Sequence, residues 1–131
     1  MSTKDLIKKA LKAKRESKQI EFKRDFNPES TQSRCETVKD IVAIANCCGG
    51  IIIVGVDNNG NPVGTDVSAV LGFDQAKLVD LIASYTGVAL ADIEIVQLRK
   101  SSNDLAGIVI PLSNIGERFN RPIMPNFRWN V

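Results

Sequence analysis

The side chains able to do chemistry here are carboxylates, lysines and thiols, because the 131 residues include no histidine. Serine-triad, His-metal and His general-base mechanisms are thereby excluded. Three carboxylates stand out. Glu16 follows a run of basic residues, Glu21 lies in an alternating segment, and Asp57 follows an apolar run. If the two segments are neighbouring strands, the three groups can converge. Close carboxylates repel unless protons or a cation neutralise them. Mg²⁺ or Mn²⁺ suits such an all-oxygen site and organises phosphoryl transfer. Lys18 and Lys23 stand near enough in sequence to hold a phosphate. The plainer reading makes Glu21 and Asp57 strand-edge polar residues, with Asp57 serving the Asn59-Gly60 turn. Spacing by itself favours that reading.

The charge distribution points to a partner. Net charge is +2, yet residues 1–24 carry nine Lys/Arg against three Asp/Glu. A polyanion facing the N-terminal region accounts for this asymmetry, and nucleic acid is the usual one. Lys8, Lys12, Arg15, Lys18, Lys23 and Arg24 are the candidate phosphate contacts. A solvated amphipathic helix accounts for the lysines equally well on charge alone.

Other classes fall away. With 44% hydrophobic and 24% charged residues, the composition is that of a globular domain. The longest apolar run, Ile51 to Val56, is far short of the roughly 20 residues of a membrane helix. Cys35, Cys47 and Cys48 form no CxxC, and without a secretory signal a reduced, cytoplasmic setting is expected. All three cysteines read as packing residues. Asp57-x-Asn59-x-Asn61 opens like a calcium loop, but Pro62 and Ser68 occupy its Gly and Glu positions. Neither a Walker loop nor G-x-G-x-x-G is present.

Several elements must position these groups. Ser2 and Asp5 cap a helix over about 3–15 with Leu6, Ile7, Ala10 and Leu11 on one stripe. Glu16 falls at its end. Ile20 and Phe22 alternate with Glu21 and Lys23 in a half-buried strand. Ser33 and Glu36 form a capping box for a second helix that stops at Gly49-Gly50. Residues 51–56 read as a central strand, Asn58-Asn59-Gly60 as a hairpin turn, 73–85 as a third helix, and 92–98 and 105–112 as two more strands. The sum is an α+β two-layer sandwich of about four to five mostly antiparallel strands with about three helices. A single domain over 1–113 is expected, followed by an unpatterned apolar tail, 114–131, that reads as the start of a truncated C-terminal region.

The motif blocks resemble a known family. Glu16-Ser17-Lys18-Gln19-Ile20-Glu21-Phe22-Lys23 is similar to the E-x-x-x-x-E-F-K signature of the Schlafen AlbA-type domain, formerly called divergent AAA. Ala43-Ile44-Ala45-Asn46, Gly49-Gly50 and Gly55-Val56-Asp57 resemble its "A-x-A-N, GG, GVD" core, and Asn59-Gly60 to Gly64 its hairpin. The likeness spans roughly residues 12 to 112. It departs at Cys47-Cys48, where a small or acidic residue is usual, and after Ser113, where the terminal aromatic-Arg strand has only Phe127-Arg128 to match. The resemblance implies a DNA- or RNA-binding module of a transcriptional regulator or helicase-related protein. It also implies a second function, a Mg²⁺- or Mn²⁺-dependent endoribonuclease whose catalytic and metal-binding residues fall on Glu16, Glu21 and Asp57. Because animal members pair two such lobes, a homodimer is expected of this one-lobed chain, the tail being a candidate contact surface. No membrane partner is implied.

Overall fold

Ser2 accepts the Asp5 N–H at 3.2 Å and so begins helix α1 (Thr3–Lys12), as its capping pattern predicts. The computed structural model describes residues 2–113; the apolar tail, 114–131, lies outside the described residues. The helix stops earlier than the predicted Arg15, because Ala13 turns extended at ψ 139°. There the backbone meets the loop below it: a Cβ on Gly60 would lie 2.6 Å from the Ala13 carbonyl oxygen.

Strand β1 (Ile20–Lys23) buries Ile20 and Phe22 and half-buries Glu21 and Lys23. Helix α2 (Thr31–Cys47) follows, capped not by Ser33 but by Ser30, whose Oγ accepts the Ser33 N–H at 3.2 Å. The Ser33 hydroxyl is already taken by the Asn27 N–H at 3.0 Å, and Glu36 accepts from Gln32 instead of closing a box. At the other end Gly49, in the left-handed region at φ +70°, donates to the Ile44 carbonyl. This is the stop the sequence predicts.

Strand β2 (Gly50–Val54) is wholly buried and runs parallel to β1. The hairpin expected after it contracts to one bridge, Val56 with Pro62. A short helix α3 (Ser68–Leu71), not foreseen in the sequence, precedes α4 (Gln75–Thr86). Asp74 caps α4 by accepting the Ala76 N–H, which moves the start two residues past the predicted Phe73. Strands β3 (Glu94–Lys100) and β4 (Asn103–Ile110) form a hairpin, and the sheet order is β1-β2-β4-β3.

The α+β class therefore stands: the described residues form four strands, with two antiparallel pairings and one parallel. Alternation along β2 serves both faces. Ile51 and Ile53 join Leu6, Ala10 and Phe22 beneath α1. Ile52 and Val54 join Val38, Ile41, Leu78 and Ile108 beneath the other helices. Each of the Val, Leu, Ile and Phe side chains among these contributes about 1.5–3 kcal/mol by leaving water. Among the described residues, no helix is long and apolar enough to cross a membrane.

The β3–β4 turn is tighter than the predicted five-residue link. Ser101 and Ser102 alone make it, both left-handed at φ 51° and 65°. That is the backbone of a type I′ turn, which Asn-Gly fits far better than Ser-Ser. The double variant Ser101→Asn/Ser102→Gly is expected to gain about 1 kcal/mol. A urea midpoint equal to or below wild type would contradict this.

Candidate functional site

Because α1 ends at Lys12, Glu16 lies in the loop that follows and not at the helix end predicted from the sequence. Its Oε2 accepts the backbone N–H of Phe22 at 3.0 Å. β1 is an edge strand, and an edge leaves backbone donors without a neighbouring strand. Glu16 satisfies one of them. The same bond folds the loop over β1 and brings Glu16 beside Glu21.

Glu21 and Lys23 were expected on a wet strand face. The structure places α2 across that face instead. Lys23 Nζ meets Asp40 of α2 at 2.8 Å, with the Lys23 side chain only 17% exposed. The Glu21 carboxyl is pushed up to about 7, first by burial, then by the Asp40 charge and by a hydrogen bond with Glu16. Lys23 opposes the shift without cancelling it. Glu21 therefore keeps its proton much further toward neutrality than an ordinary carboxyl does.

Asp40 was missed in the sequence, although a signal existed. Asp40, Ala43, Ile44 and Cys47 fall at i, i+3, i+4 and i+7, one stripe of α2. These four line one wall of a cleft of about 270 Å³, with Lys18 and Glu21 opposite.

Asp57 is placed otherwise. Its Oδ1 accepts the N–H groups of Asn59 at 2.8 Å and Asn61 at 3.0 Å, closing the turn after β2. The Asn61 and Asn59 bonds hold its carboxyl below the usual range, and its nearest charged influence is Arg24. Glu16 and Glu21 come together; Asp57 serves the turn. Among the described residues, no group of three His, Cys, Asp or Glu side chains is placed to hold a metal. Glu16, Glu21 and Asp57 are thus not gathered into one three-carboxylate ion site.

The basic residues divide. Lys12 and Arg15, with Lys9 and Lys14, line an open groove of about 520 Å³ along the end of α1 and the loop. Ser17 borders both this groove and the Glu21 cleft, where Lys18 stands. Lys8 is exposed on α1 outside the groove, Lys23 is committed to Asp40, and Arg24 lies toward Asp57. Lys9 and Lys14 were absent from the sequence-based set, because helical spacing alone does not show how the loop after Lys12 folds back.

The pKa of Glu21 has a stability consequence. Its folded value exceeds the ordinary 4.5, so the native chain binds more protons than the unfolded one between about 4.5 and 7. Stability attributable to this group is full at low pH and is lost as pH rises through that window. Glu21→Gln mimics the protonated form. It is expected to be more stable than wild type at pH 8, on the order of 1 kcal/mol after allowance for solvent screening, with the gap shrinking toward pH 5. Parallel melting curves check it; an equal gap at both pH values would refute it.

The family model described as Schlafen, AlbA_2 matches residues 16–123, a span that includes Glu16, Glu21, Asp40 and Asp57. No curated protein matches the chain. Among solved structures, the DIP2311 protein from Corynebacterium diphtheriae superposes with a TM-score of 0.56 at 18% identity, covering 83% of this chain. The match takes in 25% of that protein, so the chain spans about a quarter of its length. At that identity the likeness speaks for the fold. The family match, which covers most of the sequence and both motif blocks, makes this chain a member of the Schlafen AlbA_2 family.

Proposed function

We propose that the chain binds nucleic acid, DNA or RNA, through phosphate contacts in the groove of Lys9, Lys12, Lys14 and Arg15. The observation that carries this reading is the convergence of four cations on one open groove. Its single carboxylate, Glu16, is turned to the Phe22 N–H. Lys18 continues the positive surface toward the Glu21 cleft. Stacking has little to offer, since the chain holds one Trp and one Tyr. Binding is therefore electrostatic and broad in sequence preference. The role of such a module in a transcriptional regulator or helicase-related protein belongs to the same reading.

A second reading, cleavage of structured RNA, draws on a different observation. Glu21, in the cleft that shares Ser17 with the groove, has its carboxyl raised to about 7, the range in which a carboxyl can act as acid and base. Labelled transfer RNA incubated with the wild-type chain and with Glu21→Gln separates the readings. Intact RNA throughout supports binding alone, and nicking lost in Glu21→Gln supports cleavage. Self-association into a homodimer is also proposed, and a strictly monomeric mass at high micromolar concentration would oppose it.

Reversing Lys9, Lys12 and Arg15 to Glu is expected to lower affinity at least ~100-fold and to flatten the log–log salt dependence by about three units. Lys8→Glu, outside the groove, is expected to have a much smaller effect. Fluorescence anisotropy across a salt series measures both. A triple variant that binds like wild type would show the groove to be only a solvated face.

A further inference from the structure

The sequence treats Cys47 and Cys48 as packing residues, but Cys47 is exposed and Cys48 only half-buried. Cys47 is the last residue of α2, and Cys48 leaves the helix at φ −161°, ψ 0°. This change of backbone swings the two thiols to one side. Their sulfurs lie 3.1 Å apart, and the Cys48 thiol has a second acceptor, the Lys18 carbonyl, at 3.6 Å. Sharing a proton with Cys47 raises the Cys48 pKa. Cys47 also lines the cleft of Lys18, Glu21 and Asp40.

Joining these sulfurs directly is unfavourable. Adjacent Cα atoms are about 3.8 Å apart across a trans peptide, below the roughly 4.4 Å at which disulfides begin. A single atom bonded to both sulfurs has no such difficulty, because its two longer bonds span the gap that one S–S bond cannot, and the two thiols already face one another. With two sulfurs as its protein ligands, such a centre must carry its remaining substituent with it.

We propose that Cys47 and Cys48 form a chelating dithiol site for a trivalent, thiophilic centre of the organoarsenical class. With phenylarsine oxide, two arsenic–sulfur bonds form and the arsenic–oxygen bond is lost. The oxygen leaves as one water carrying both thiol protons, and arsenic stays trivalent, so no oxidant is needed. The phenyl carbon occupies the third position. Among the described residues no third Cys, His, Asp or Glu completes a metal site there.

The test is independent of nucleic-acid binding. The full chain is treated with phenylarsine oxide in excess monothiol, and the retained arsenical is read by intact mass. Chelation by two tethered thiols outcompetes free monothiol, so wild type is expected to keep one arsenical and to release it to dithiothreitol. Cys47→Ser and Cys48→Ser are expected to lower retention at least about tenfold. Cys35→Ser is expected to retain it, because Cys35 sits apart, hydrogen-bonded to Tyr85 at 3.2 Å. No retention by wild type, loss in Cys35→Ser, or retention in either single variant of the pair would overturn the proposal. So would a wild-type chain whose two sulfurs are already joined in a disulfide under reducing conditions.

Discussion

At Gly50 two backbone segments, those of β1 and β2, approach so closely that only a glycine fits. Any side chain there would overlap the carbonyl of Gln19. That carbonyl accepts the Ile51 N–H at 2.8 Å and begins the parallel β1–β2 register. The register places Glu21 opposite Ile52 and Lys23 opposite Val54. Ile52 and Val54 belong to the core beneath α2, so Glu21 and Lys23 are carried to the same face. A slip by one residue would exchange the faces and send Phe22 toward α2. The glycine pair thus decides which chemistry meets α2: Gly49 ends the helix, and Gly50 admits β1.

Much of this was legible because it rests on local rules. The Ser2 cap, the Gly49 stop, the unbroken Ile51–Val54 run and the Asp57 turn all follow from backbone requirements that side chains announce. What escaped was tertiary. The alternation of β1 marks two faces but does not say that both are covered, so the expected wet side holding Glu21 and Lys23 is half-buried under α2. The true α2 cap is Ser30 because Ser33 is spent on Asn27, a bond made outside the helix. Asp40 escaped for the same reason, since a helix stripe shows its partner only once the crossing strand is known.

The carboxyl groups show how one residue type takes different roles by placement. Asp57 accepts two turn N–H groups and is stabilised as an anion. Glu16 accepts one edge N–H and is thereby fixed beside Glu21. Glu21 has burial and two neighbouring acids against it, and only Lys23, itself paired with Asp40, in its favour. Burial and like charge raise a carboxyl pKa, whereas hydrogen bonds donated to the anion lower it. The sequence gathers three acids by motif; the fold separates them by what each accepts.

The groove and the carboxyl pair are joined through one loop of the chain. Residues 13–19 carry Lys14 and Arg15 on the groove side, Glu16 on the edge of β1 and Lys18 on the cleft side. The bond from Phe22 to Glu16 holds that loop against the sheet. A phosphate backbone lying along the groove would add negative charge near Glu21 and raise its proton affinity further. Occupancy of the groove and protonation of Glu21 are then linked, each favouring the other as thermodynamic reciprocity requires. The family match begins at Glu16, whereas Lys9, Lys12, Lys14 and Arg15 precede it. The charged groove is therefore contributed mainly by the chain before the shared motif, and the Glu16–Glu21 carboxyl pair by the motif itself.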